Sequence, residues 1–69
     1  MKYGARNQLT GKILNIKKGD VMCQVRLEVG PGATMNSVMT MESLHDLGIA
    51  EGDTVRVVVK AINVLLVKE

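Results

Sequence analysis

The alternation of apolar and polar residues with a period of two is the feature that most restricts the fold of this chain. In residues 21–29 the apolar side chains share one face of an extended strand, and the polar ones share the other face, apart from Met22. Because successive side chains of a strand point to opposite faces, this pattern predicts a strand that is buried on one face. Residues 55–59, with a valine at every second position, predict another strand of the same kind.

The first predicted strand, residues 8–17, contains a change of phase. The apolar phase that includes Ile13 gives way to the opposite phase at Leu14. Such a slip predicts a bulge or a sharp bend, and we expect Gly11 to permit it. A long, bent first strand is what a small closed barrel requires.

Turn signals divide the remaining chain. Residues 17–20 predict a hairpin turn in which Gly19 takes a positive φ angle. Residues 30–34 predict a longer turn, followed by a third strand over residues 35–41.

The period then changes to that of a short helix. Thr40 is its expected N-cap, Gly48 its expected end, and Leu44 and Leu47 its apolar pair. Residues 64–67 are predicted to form a fifth strand.

The order β-β-β-α-β-β is that of the OB-fold, a five-stranded Greek-key barrel. We therefore predict an all-β fold with one small helix, in a single domain over residues 1–69. Val58 and residues 64–67 are apolar where one face of a strand should meet water. Since continuous apolar strands are covered on both sides, we expect the second cover to be another copy of the chain.

Composition restricts the ways in which so short a chain can be stabilised. A domain of 69 residues buries only about 60% of its unfolded surface and often depends on disulfides, metals or self-association. Cys23 is the only cysteine and His45 the only histidine. An internal disulfide is therefore excluded and a bare metal ion is not expected, which leaves a homo-oligomer. The single thiol and the absence of a membrane-length apolar run predict a cytoplasmic protein that does not contact a membrane.

Two general functions of small β domains find little support. Single-strand nucleic-acid binders stack bases on aromatic side chains, and Tyr3 is the only aromatic residue here. The net charge is only +2, so nucleic acid is not the expected partner. His45 has no evident nucleophile beside it, and an enzyme is not predicted.

A few hydrogen-bond donors remain that could serve a small oxyanion. Arg6 and Lys60 carry charged donors, and Thr40 and Ser43 carry hydroxyls at the start of the helix. Taken one at a time, these residues are better interpreted as solvated surface charges and a helix cap.

The strings GARNQLTGKI, KKGDV, SVMTMESLHDLGI, EGDTVRVVVKA and NVLL together resemble the molbindins. These are small molybdate-binding Mop proteins related to the TOBE domains of molybdate transporters and regulators. The resemblance extends from about Gly4 to Val67. It implies a cytoplasmic hexamer, arranged as a trimer of dimers, that binds molybdate or tungstate at subunit interfaces and needs no organic cofactor.

The resemblance also implies the ligand-binding residues. One class of site takes donors from two segments of one subunit and hydroxyls from a neighbour, which correspond here to Ala5, Arg6, Lys60 and Ala61, and to Thr40 and Ser43. A second class of site lies near threefold contacts, and we place it at the turn formed by Gly19, Asp20 and Val21. The chain departs from the family pattern at Gly4 and Ala61, where serine is typical or frequent; each loses a hydroxyl and keeps a backbone N–H.

The leading hypothesis is therefore a molybdate-binding protein for intracellular storage and homeostasis. One alternative in the same fold is an oligomerisation or regulatory module that responds to the anion. The other alternative is a single-stranded nucleic-acid-binding OB module.

Overall fold

The computed structural model describes residues 7–68, which contain four strands and one short α-helix. The elements are β1 (Asn7–Lys18), β2 (Met22–Gly30), β3 (Ala33–Thr40), α1 (Met41–Leu47), β4 (Thr54–Val59) and a 3-10 turn (Ala61–Asn63). The strands form one sheet in the order β3-β2-β1-β4, and all neighbours are antiparallel. The predicted all-β fold with a small helix is confirmed. No helix among the described residues has the length and apolarity that crossing a bilayer requires.

Strand β1 is shared between two partners. It pairs with β4 from Asn7 to Lys12 and with β2 from Lys12 to Lys18. The register with β2 shifts between Ile13 and Asn15, so the phase change predicted from the sequence is confirmed and lies at Leu14. Because a bulge bends its strand and increases the local twist, it allows β1 to leave β4 and continue along β2.

Gly11 does not make the bulge, contrary to the prediction. Its backbone is buried, and a Cβ atom there would lie 3.1 Å from Cγ2 of Val57 and 3.3 Å from Cδ2 of Leu27. A glycine at this position lets side chains from both neighbouring strands pack directly over β1.

The core lies on one face of the sheet and includes Leu44 of α1. Its buried members are Ile13, Cys23, Val25, Leu27 and Leu44. The predicted buried face of the second strand is thus confirmed for its central three residues. Val21 precedes β2 and is 69% exposed, so its assignment to the buried face was wrong. Of the apolar pair of α1, Leu44 is buried and Leu47 is 61% exposed.

The helix begins and ends as the sequence predicts. Thr40 caps its N-terminus, and Gly48 follows it with φ of 66°. The N–H of Gly48 donates to the carbonyl oxygens of Leu44 at 3.2 Å and His45 at 3.1 Å. These bonds satisfy the last carbonyls, and the left-handed backbone that makes them is accessible to glycine at no steric cost.

The predicted fifth strand is not formed within the described residues. Val64 has an extended backbone (φ −92°, ψ 120°), but residues 64–68 pair with none of β1 to β4. The 3-10 turn carries the chain away from β4, and Leu65, Leu66 and Val67 are 85–92% exposed. A strand needs a neighbour for its N–H and C=O groups, and a single chain supplies none at this place.

Gly19 has a different role from the one predicted. Positive φ angles occur at Gly32, Gly48 and Gly52, and Gly19 is not among them. Its N–H donates to the carbonyl oxygen of Met22 at 2.9 Å, and a Cβ atom at Gly19 would lie 2.9 Å from that same oxygen. The turn between β1 and β2 therefore needs glycine for close backbone approach.

We expect Gly19→Ala to lower the free energy of unfolding by about 1–3 kcal/mol, because a backbone oxygen must move to admit the methyl group. Gly30→Ala is the matched control, since its Cβ would meet only the Cβ of Ala33 at 4.0 Å. Urea unfolding at one protein concentration measures both variants. Equal stability of the two would contradict the close-approach role of Gly19.

Candidate functional site

Thr40 and Ser43 form a hydroxyl pair at the start of α1. The Ser43 N–H donates to Thr40 Oγ1 at 3.0 Å, and the two hydroxyl oxygens lie 2.9 Å apart in a hydrogen bond. Both side chains are exposed. Since one hydroxyl proton is used between them, the pair keeps one proton that it can donate to a ligand. The structure thus brings together two of the six predicted site residues.

The turn predicted as a second site lies next to this hydroxyl pair. The N–H of Met41 donates to the carbonyl oxygen of Val21 at 2.7 Å, which ties the turn to the first residue of α1. Gly19, Asp20 and Val21 are exposed. A carboxylate repels an anion, so Asp20 could contribute to an anion site through its backbone N–H and not through its side chain.

Lys60 and Ala61 lie where β4 ends. Lys60 precedes the 3-10 turn with extended backbone (φ −65°, ψ 135°), and the first hydrogen bond of the turn runs from Asn63 N–H to Lys60 C=O at 2.9 Å. The N–H groups of Ala61 and Ile62 precede that bond, and the first N–H groups of a helical turn favour an anion. Lys60 and Ala61 are both exposed.

The two groups of site residues lie at opposite ends of β1. Val59, next to Lys60, pairs with Asn7 at the first residue of β1. Thr40 pairs with Met22, beside the pair that joins β2 to Lys18 at the last residue of β1. A strand of 12 residues spans up to about 40 Å when fully extended, and the bulge shortens this span. Within one chain, the hydroxyl pair and Lys60 therefore lie near different ends of β1.

Ala5 and Arg6 lie outside the described residues. In the sequence they directly precede Asn7, which is the first residue of β1.

The local charge is mixed at the hydroxyl pair. Glu42 occupies the first turn of α1 and is exposed. A carboxylate there stabilises the N-terminus of the helix but opposes a nearby dianion. Lys17 and Lys18 line an open groove of about 290 Å³ that also includes Gly19, so positive charge lies beside the turn predicted as a second site.

Sequence reasoning missed a polar groove on the outer face of the sheet. Asn15 pairs with Arg26, and Arg26 pairs with Asn36, so the three side chains lie side by side across β1, β2 and β3. With Lys17, Gln24 and Thr34 they line a groove of about 320 Å³. The alternation in β2 indicated that Gln24 and Arg26 face outward, but their neighbours depend on the strand register.

Metal-ligating side chains do not cluster in residues 7–68, where no three of the His, Cys, Asp and Glu residues come together. Cys23 is buried in the core, as predicted, and His45 is exposed on α1. The hydroxyl pair, Lys60 and the backbone N–H groups of the turns are donors that suit an anion and not a bare cation.

Comparison with protein families gives a match to the TOBE domain over residues 4–66. Among individual proteins, molybdenum-pterin-binding protein 3 of Clostridium pasteurianum is 39% identical over 66 residues, which are 96% of this chain and 97% of that protein.

Two solved structures show the same fold. A molybdate-binding protein from Sporomusa ovata superposes with a TM-score of 0.90 and 32% identity, covering 99% of this chain and all of that one. The cytoplasmic molybdate-binding protein ModG, solved with molybdate bound, matches with a TM-score of 0.80 and 39% identity over 88% of this chain and 43% of its own.

We expect Thr40→Ala to lower the free energy of unfolding by about 1 kcal/mol, because the Ser43 N–H loses its cap. Thr34→Ala is the control, since Thr34 is exposed in β3 and caps no helix. Thr40→Ser should retain most of the stability because it keeps the hydroxyl. Denaturant unfolding distinguishes these variants, and a Thr40→Ala variant as stable as Thr34→Ala would contradict the capping role.

Proposed function

Because the chain belongs to the TOBE domain family, we propose that it binds molybdate at sites shared between copies of the chain. Its relatives from Clostridium pasteurianum and Sporomusa ovata, which are matched over 97% and 100% of their own lengths, are a molybdenum-pterin-binding protein and a molybdate-binding protein. The observation that carries the proposal is the placement of two donor groups at opposite ends of β1. Each group is half of a site, and a second copy of the chain supplies the other half.

The chemistry of the ligand determines which groups can hold it. Molybdate is a tetrahedral dianion with four acceptor oxygens and no donor near neutral pH. A site for it must present hydrogen-bond donors and positive charge, and charge-assisted bonds contribute about 1.5–3 kcal/mol each. The Lys60 ammonium group and the remaining hydroxyl proton of the pair formed by Thr40 and Ser43 meet this requirement.

The first half-site is proposed to consist of Ala5, Arg6, Lys60 and Ala61. Arg6 directly precedes Asn7, and Asn7 pairs with Val59, the residue before Lys60. The guanidinium group of Arg6 would add the second positive charge, which matches the charge of the dianion. Ala61 occupies a position where serine is frequent in the family. It lacks the serine hydroxyl but keeps its backbone N–H at the start of the 3-10 turn, so one of two possible donors is lost.

Tungstate is proposed as a second ligand, because it has the charge and shape of molybdate and nearly its size. Sulfate has the same charge and shape with shorter bonds, so its oxygens would reach fewer donors at once. The turn at Gly19, Asp20 and Val21 is proposed as a second class of site, with backbone N–H groups as its donors.

Self-association is part of the proposal and has support apart from the anion. Exposed large apolar side chains occur on both edge strands, at Val38 of β3 and Val58 of β4, and also at Leu9 of β1 and at Val21 before β2. Large exposed apolar surfaces mark interaction sites. We propose a hexamer arranged as a trimer of dimers, in the cytoplasm, with a role in molybdate storage and homeostasis.

An anion-responsive regulatory module would use the same sites and differ only in its partner. A nucleic-acid-binding module has less support, since residues 7–68 contain no Phe, Tyr or Trp side chain on which a base could stack. The donors of the two half-sites favour the anion.

Two variants that each damage one half of the site test the shared architecture. Lys60→Ala removes the charged donor and should weaken molybdate binding about 10- to 100-fold, and Ser43→Ala should weaken it about tenfold or less. When the two variants are unfolded and refolded together, sites that join an unaltered Ser43 to an unaltered Lys60 should bind as tightly as the original ones. Equilibrium dialysis with molybdate measures the recovery.

Lys12→Ala is the control for charge, because Lys12 is exposed in the middle of β1 and belongs to neither half-site. It should bind molybdate normally. A mixture of the two site variants that recovers no tight binding would show that both halves come from one chain, which contradicts the proposal.

Molybdate should also raise the melting temperature of the assembled protein. At a concentration about 100 times its Kd, a ligand that binds only the folded state stabilises that state by about 2.7 kcal/mol per site. Tungstate should act similarly and sulfate more weakly, and Lys60→Ala should reduce the shift. A melting temperature that does not change with molybdate at this concentration would contradict the proposed function.

A further inference from the structure

The outer face of the sheet carries the polar groove of about 320 Å³, which we call the outer groove. It is lined by six side chains from β1, β2 and β3: Asn15, Lys17, Gln24, Arg26, Thr34 and Asn36. All six are exposed, each can donate a hydrogen bond, and none carries a negative charge. The outer groove therefore offers donors and positive charge to a ligand, on the face opposite the core.

The strand register groups these donors around two cations. Arg26 on β2 pairs with Asn15 on β1 and with Asn36 on β3, so an amide side chain flanks Arg26 on each side. Lys17 on β1 pairs with Gln24 on β2, which places a third amide beside the second cation. Directly paired residues have Cβ atoms about 4.5–5.5 Å apart, so each amide lies close enough to its cation for both to bind one carboxylate.

The two cations are neighbours along a diagonal of the sheet. Lys17 lies two residues beyond Asn15, the partner of Arg26, and diagonal neighbours on one face are about 7–8 Å apart. Glu28 is exposed on the same face of β2, but its partner on β1 is Lys12 and it does not line the outer groove. Cross-strand pairs of opposite charge stabilise a solvated sheet face, and the lining residues contain no such pair. Two positive charges at this spacing favour a ligand with two negative charges.

The volume of the outer groove suits an organic molecule better than a single tetrahedral oxyanion. Pockets for small organic ligands begin at about 300 Å³, and this groove has about 320 Å³. A molybdate ion holds its four oxygens around one metal atom, so it would fill only part of this volume. An organic anion with its two charges at separate positions matches both the volume and the two cations.

We propose that the outer groove binds a small dicarboxylate, with two or three carbon atoms between its carboxylates. The Arg26 guanidinium group binds one carboxylate through two parallel N–H donors, and the amides of Asn15 and Asn36 donate to its remaining lone pairs. The Lys17 ammonium group and the Gln24 amide hold the second carboxylate.

The outer groove is separate from the donors proposed for molybdate. Thr40 and Lys60 are not among its lining residues. Lys17 also lines the groove that includes Gly19, but Arg26 does not, so Arg26 is the residue that tests the dicarboxylate site alone. The proposal goes beyond molybdate binding and does not depend on it.

Isothermal titration calorimetry with succinate and glutarate, at low ionic strength and without molybdate, measures the binding. Acetate and inorganic phosphate are the ligand controls, because acetate has one carboxylate and phosphate carries its charge in one compact group. We expect both dicarboxylates to bind at least about tenfold more tightly than either control, since only they engage both cation groups at once.

Arg26→Gln should weaken succinate binding about 10- to 100-fold, because it removes the charge and the paired donors. Arg26→Lys, which keeps the charge and loses the paired donors, should be intermediate. Arg56→Gln is the matched control. Arg56 is exposed on β4, pairs with Thr10 and does not line the outer groove. Its substitution changes the net charge by the same amount and should leave succinate binding unchanged.

Nitrogen-15 NMR spectra of the unsubstituted protein locate the ligand directly. When succinate is added, the side-chain amide signals of Asn15 and Asn36 should shift. The side-chain amide signal of Asn63, which lies in the 3-10 turn and does not line the outer groove, should stay in place.

Three results would overturn the proposal: dicarboxylates that bind no better than acetate or phosphate, equal losses of binding in Arg26→Gln and Arg56→Gln, or unchanged amide signals of Asn15 and Asn36 with succinate. Since these assays contain no molybdate, their failure leaves the molybdate-binding test unaffected. Conversely, failure of molybdate binding would leave the dicarboxylate site standing.

Discussion

The bulge at Leu14 is the constraint on which the arrangement of the molecule depends. It divides β1 into a half that pairs with β4 and a half that pairs with β2. Without it, the two halves would present the same face to both partners, and Ile13 and Ile16 could not both contact one core. The length of β1 separates the end where Asn7 pairs with Val59 from the end that lies near Thr40 of β3. The two halves of the proposed site thus lie at the two ends of one strand.

Local signals in the sequence predicted those parts of the fold that depend on local chemistry. The alternation in β2 required no knowledge of its neighbours, and the caps at Thr40 and Gly48 are properties of a single helix. The phase change at Leu14 was also visible, but Gly11 was given the wrong role. Its contacts with Val57 and Leu27 come from two other strands, and no pattern within β1 contains them.

The remaining differences between prediction and structure arise where the placement of a residue depends on a partner that cannot be identified from the sequence. Val21 continues the apolar alternation, yet the turn that Gly19 closes with Met22 leaves it outside β2. Residues 64–67 have the composition of a strand, but composition supplies no neighbouring edge. The same applies to the candidate site. The sequence indicated its donors, but only the sheet register revealed that Thr40 and Lys60 lie near opposite ends of β1.

Self-association and anion binding would reinforce each other through the position of Lys60. Lys60 and Ala61 lie at the end of β4, and the proposed site is complete only when a second copy supplies its hydroxyl pair. An anion that bridges Lys60 to a neighbouring hydroxyl pair then binds the assembled state better than the separate chains. A ligand with such a preference shifts the equilibrium toward assembly by its difference in affinity. For a chain of 69 residues with a small core, assembly and ligand would together provide the stability that neither a disulfide nor a larger interior can supply.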